Sequence, residues 1–159
     1  MIDWDEDPEL RNLRGELIAS FGERRAELDA RTAELVSARA RARRGGAPPE
    51  AQAPEAEASE AAKRALLAIH VVVHKLAGAA SSYGLTALGS LAEALDDLLS
   101  AELAGGPSQL DLLPARAALL SRALEEASAG QGDSPEAAAS EEGRKLISDA
   151  ESLLSAGKP

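Results

Sequence analysis

His74 opens the run His74-Lys75-Leu76-Ala77-Gly78-Ala79-Ala80-Ser81-Ser82-Tyr83-Gly84, which sets a histidine in mid-helix with almost no bulk after it. Ala77 and Gly78 stand at i+3 and i+4, one turn further on, where longer side chains would flank the ring. Glycine inside a helix costs about 1 kcal/mol relative to alanine, so its use at 78 asks for a compensating role. Clearance for an approaching protein is one such role. An accessible histidine titrates near ~6.5 and therefore offers an imidazole lone pair at neutral pH. The chemistry this arrangement suits is acceptance of an electrophilic group by the imidazole of His74.

The neighbouring residues narrow that reading. His70 and His74 are i and i+4, the spacing at which two imidazoles on one helix can hold a metal. A zincin motif needs Glu directly after the first histidine, where Val71 stands. A di-iron bundle needs Glu three residues before each histidine, where Leu67 and Val71 stand. The expectation is therefore no metal and no cofactor, with His70 a flanking, half-buried group close enough to modulate the protonation of His74. Lys75 supplies positive charge beside His74, although adjacent helix residues diverge by about 100°. Cysteine is absent, which removes disulfides and thiolate chemistry. No glycine-rich nucleotide loop is present, since Gly45-Gly46 and Gly105-Gly106 are isolated pairs beside proline, so no kinase activity of its own is expected. No Ser/His/acid set can be assembled from two histidines on one helix.

The elements that must position His74 are legible as periodicity. Residues 8–44 read as one long helix through Leu10, Leu13, Leu17, Phe21, Leu28 and Leu35, with Arg39, Arg41, Arg43 and Arg44 as a solvated basic end that suits the helix dipole. Residues 45–58, from Gly45-Gly46-Ala47-Pro48-Pro49 through an acidic Pro/Ala stretch, read as a flexible linker. Ser59 is the expected N-cap of the histidine helix, whose stripe Leu66, Ile69, Val73, Leu76, Ala80 and Tyr83 marks a buried face. On that wheel His74 points outward or to a flank, with Leu67 and Val71 near the same side, to be covered by a helix or by a partner. Gly84 ends the helix and Thr86 caps the next, which buries Leu88, Leu91, Leu95, Leu98 and Leu99 in a short-loop antiparallel hairpin. A further helix carries Leu110, Leu113, Ala117, Leu120 and Leu124, with Pro114 early in it, and ends by Gly130. Ser134-Pro135-Glu136 starts the last, with Leu146, Ile147, Ala150, Leu153 and Leu154 beyond. The predicted fold is all-α, an antiparallel four-helix bundle with an additional helix. Residues 1–44 form the first helical segment and 59–156 the core that carries His74.

The pattern His-x-Leu-x-Gly followed by small residues, with Gly84 six after Gly78, resembles the histidine phosphotransfer (HPt) domain of bacterial two-component phosphorelays. The resemblance is strongest over residues 58–104. It departs at Ala77, where many members carry lysine, while this chain has its cation at Lys75. The resemblance implies that His74 is a phosphoacceptor relaying a phosphoryl group between receiver-domain aspartates. The implied partners are response-regulator receiver domains or a hybrid histidine kinase, with Mg²⁺ held on the receiver. Leu67, Val71, Ala77, Gly78 and Ser81 are the expected partner-facing residues. The competing class is a non-catalytic helical adaptor, a degenerate HPt domain that binds signalling partners through Leu67, Val71 and the basic end of the first helix.

Composition agrees with a protein partner. The 159 residues carry 17 Lys+Arg against 27 Asp+Glu, a formal net charge of −10, which repels nucleic acid and anionic membrane surfaces. With 45% hydrophobic but 2% aromatic residues, the core must be built from Leu, Ala, Ile and Val. The acidic start Met1-Ile2-Asp3-Trp4-Asp5-Glu6-Asp7 is unlike a secretory signal, and the longest candidate span, Ala65 to Val73, is short for a membrane crossing and contains His70. A cytoplasmic location is the default expectation.

Overall fold

The computed structural model describes residues 6–44, 52–130 and 136–156, and every regular element among them is a helix. In chain order these are α1 (Pro8–Ala19), α2 (Phe21–Arg44), α3 (Gln52–Ser82), α4 (Thr86–Leu103), α5 (Leu113–Ser128), α6 (Glu136–Ala139) and α7 (Glu141–Ala156). Helix α2 packs on α3, α3 on α4, α4 on α5, and α5 back on α2, so these four close an antiparallel bundle. Helix α7 lies outside, mainly along α4, and the single turn α6 bridges α5 to α7.

The stripe on α3 behaves as its spacing requires: Ile69, Val73, Leu76 and Ala80 are fully buried and Leu66 nearly so. They meet Leu88, Leu91, Leu95, Leu98 and Leu99 of α4, Leu113, Ala117, Leu120 and Leu124 of α5, and Phe21, Leu28 and Leu35 of α2. Each fully buried Leu or Phe contributes about 1.5–3 kcal/mol by leaving water, so an almost wholly aliphatic set suffices for one core.

Four expectations are corrected. The first helix is two, because Ser20 breaks it: its hydroxyl bonds the Leu17 carbonyl at 2.6 Å, while Arg24 Nε donates to the same hydroxyl at 3.0 Å. A serine that bonds back to the preceding turn competes with the helical ladder. Leu17 and Phe21 on either side stay buried, whereas Leu13, beyond the end of the bundle, is 44% exposed. Second, α3 already begins at Gln52, so the linker does not extend to 58 and Ser59 is an interior helical residue. The glycine and proline cluster at 45–49 lies outside the described residues, as do Met1–Asp5, Ser134 and Pro135. Third, Thr86 is the first residue of α4 rather than its cap, a place taken by Leu85 with no side-chain capping bond. Fourth, Leu154 is exposed on α7, whose buried face is Gly143, Leu146 and Ala150.

Over Ala56–Ser82, α3 is long and apolar enough to cross a membrane by length and composition, with 44% of the most apolar window buried inside the bundle. The apolar run ends at Val73 because His74 and Lys75 follow it, and apolar residues resume at Leu76.

Two polar features fix how the outer elements sit. Asp111, before α5, accepts from Arg43 at 2.8 Å and Arg39 at 3.1 Å at the end of α2. Those two arginines hold its carboxyl below the usual carboxylate range. The basic end of α2 is thus partly a structural clamp, not a wholly solvated terminus. Arg116 of α5 is buried and donates to Gln109 and, at 2.9 Å, to Asp149 of α7, which supplies the partner a buried cation requires.

Candidate functional site

Two close-packed helices, α3 and α4, build the site. Gly84 takes φ +74°, a left-handed conformation suited to glycine, and the Leu85 amide bonds back to the Ala80 carbonyl at 2.9 Å, which ends α3 tightly. The chain then reverses about Leu85, and residues equally far from it on the two helices face one another. Ser81 meets Gly89, where an added Cβ would strike the Ser81 hydroxyl, so the helices touch closely at the turn. Eleven residues either side of Leu85 stand His74 and Asp96, and fifteen either side stand His70 and Ser100.

His74 Nδ1 lies 2.9 Å from Asp96 Oδ2. A carboxylate only accepts, so Nδ1 carries the proton and the lone pair is left on Nε2. The His74 side chain is 71% exposed while Asp96 is 17% exposed, so an accessible ring is held by a sheltered carboxylate. His70, 27% exposed, sits with its ring centroid 5.9 Å from that of His74. Its Nε2 is 3.1 Å from Ser100 Oγ and 3.2 Å from Asp96 Oδ1, which is buried and has no hydrogen-bond partner. Asp96 therefore stands between both imidazoles. His70, Asp96 and His74 each present a ligand-type atom, all within 4.8 Å of one another.

The residues expected to face a partner differ in their exposure. Leu67 and Val71 are 50% and 49% exposed, and nothing approaches within 4 Å of where a Gly78 Cβ would stand, so Leu67, Val71, His74 and Gly78 form one open strip at helical spacing. No helix covers it. Ala77 is not part of this strip: it is 6% exposed and packs into the core, because i+3 from His74 rotates back toward the buried stripe. Ser81 is exposed, but its hydroxyl donates to Glu93 at 2.8 Å. Lys75 is exposed and pairs with no described acid.

Asp96, Ser100 and Glu93 carry no signal in the periodicity of a single helix, because their partners stand on α3. The signal existed in the short hairpin itself, since mirror pairing about Leu85 sets Asp96 opposite His74. Asp97, the adjacent carboxyl, is raised above the ordinary carboxylate range by burial first, then by Asp96 and Glu93. A raised acid stabilises the fold only below its unfolded pKa, and that contribution is lost as pH rises through the folded value. Asp97→Asn is therefore expected to raise the melting temperature at pH 7, with the gain shrinking as pH falls through the carboxylate range. Thermal denaturation at several pH values checks it, and an equal gain at all pH values would contradict the assignment.

No family model, curated protein or solved structure matches this chain. The site's geometry is thus what bears on function.

Proposed function

We propose that this chain is a histidine phosphotransfer protein that carries a phosphoryl group on Nε2 of His74 between receiver-domain aspartates. The observation that carries the reading is the His74–Asp96 bond. It places the proton on Nδ1, leaves the nucleophilic lone pair on the exposed nitrogen, and sets a fixed anion beside the ring. The resemblance of the His74–Gly84 run to HPt domains supports the same assignment.

In the transfer, Nε2 attacks the phosphorus of an aspartyl phosphate. The N–P bond forms, the acyl O–P bond breaks, and the receiver's carboxylate leaves. The ring becomes a phospho-imidazolium that keeps its proton on Nδ1, and Asp96 offsets its new positive charge, much as a triad carboxylate does for its histidine. Reversal delivers the group to the next aspartate. A Mg²⁺ held by the receiver would supply charge stabilisation for the phosphoryl group, and this chain's part is to bind, orient and present the imidazole. The open strip Leu67, Val71 and Gly78 supplies the apolar docking face. The adaptor reading shares that face but gives Asp96 no task.

Transfer of labelled phosphate from a phosphorylated receiver of the same cell, recovered as acid-labile, base-stable phosphate, tests the proposal. Gly78→Leu is expected to cut transfer at least ~10-fold, because a bulky side chain one turn from His74 occupies the receiver's approach and one unfavourable clash of about 1.4 kcal/mol suffices. Helix propensity improves in this variant, so unchanged transfer would mean that the receiver docks elsewhere.

A further inference from the structure

We infer that His70, His74 and Asp96 form a chelating site for a zinc-class divalent ion, and that loading it switches His74 off as a nucleophile. Three donors of the right type already converge. Asp96 Oδ2 and Oδ1 stand 2.9 Å and 3.2 Å from His74 Nδ1 and His70 Nε2, and the whole set spans no more than 4.8 Å. Zinc with bonds of about 2.0–2.1 Å in tetrahedral array needs donors roughly 3.3 Å apart. Small rotations of the two imidazoles, one of them largely exposed, bring them to that spacing.

A second observation points to a ligand. Asp96 Oδ1 is buried and accepts no hydrogen bond, with His70 Nε2 standing 3.2 Å away, and a buried acceptor left so is costly unless something binds it. A cation bridging the carboxylate to both rings would satisfy it. Two imidazoles and one carboxylate select zinc and its transition-metal neighbours over Mg²⁺ or Ca²⁺, which prefer oxygen donors. Three protein ligands leave a fourth position for water. The expectation from sequence, that no metal binds, rested on finding no carboxylate at metal-ligand spacing on the histidine helix. Here it arrives from α4, mirrored across the hairpin.

The consequence for His74 follows from its two nitrogens and rests on the phosphotransfer reading. Metal on Nδ1 displaces the proton there and forces the neutral ring to carry its proton on Nε2, which removes the lone pair that attacks phosphorus. Zinc and phosphoryl group are then alternative occupants of one imidazole.

Titration of Zn²⁺ into the purified full chain, followed by calorimetry, and of Co²⁺, followed by visible absorption, reads binding with no receiver present. The expected result is a saturable one-to-one isotherm with a four-coordinate Co²⁺ spectrum. His70→Gln and Asp96→Asn, with helix content checked by circular dichroism, should each weaken Zn²⁺ by at least ~100-fold, more than loss of a merely supporting partner costs. Unsaturable binding, or binding that survives both substitutions unchanged, would overturn the site. The coupling is read separately: saturating Zn²⁺ should stop phosphoryl acceptance by the wild type but not by His70→Gln, while equal inhibition of both would place zinc on the receiver. Should the wild type accept no label even without zinc, the phosphotransfer reading fails while the binding result stands.

Discussion

His74→Gln is expected to abolish phosphoryl acceptance completely while leaving the bundle folded. The side chain is 71% exposed and stands on the open strip, so its replacement removes one hydrogen bond to Asp96 and changes stability by about 1 kcal/mol at most. The chemistry has no substitute. His70 is 27% exposed, and its Nε2 is turned toward Ser100 and Asp96 instead of solvent. His70→Gln should therefore alter only the rate. Label transfer, with circular dichroism as the folding control, separates the two variants, and acceptance by His74→Gln at the wild-type level would refute the site.

Asp96→Ala carries the second large effect, and it distinguishes the mechanism from mere exposure of a histidine. Without the carboxylate the ring is free to rotate and to place its proton on Nε2, and the phospho-imidazolium loses its nearby anion. Loss of a partner that fixes tautomer and orientation typically costs about 10- to 100-fold, and a loss of that order in transfer rate is expected. A merely structural role would not distinguish alanine from asparagine at this position. Asp96→Asn should retain more activity than Asp96→Ala, since an amide oxygen can still accept from Nδ1. A wild-type rate in Asp96→Ala would show that His74 reacts without orientation.

Much of this architecture is readable from side-chain spacing, and the exceptions have physical causes. The α3 and α4 stripes are strict, and the buried residues Ile69, Val73, Leu76, Leu91 and Leu95 fall where 3.6-residue periodicity puts them. Gly84 announces the hairpin because a left-handed residue there favours glycine. The break at Ser20 is invisible to periodicity, since Leu17 and Phe21 keep their spacing across it and the interruption lies in one hydroxyl bonded to a backbone carbonyl. Ala77 misled for another reason: small size permits both clearance and burial, and only the packed structure shows that it faces inward. The outward placing of His74, Leu67 and Val71 was legible within one helix, but whether another helix covers that side was not. Nor was Asp96, because its role depends on which residue of α4 stands opposite the ring, eleven residues beyond Leu85 as His74 is eleven before it.

The most direct test of the account is to name the nitrogen that becomes phosphorylated. The ¹⁵N-histidine-labelled protein, charged by a phosphorylated receiver of its own cell, can be read by ³¹P–¹⁵N coupling in NMR. The account predicts a single phosphoramidate at Nε2 of His74, with Nδ1 still protonated. A phosphoryl group on Nδ1 or on His70, or a chain that accepts none from any receiver of that cell, would contradict it.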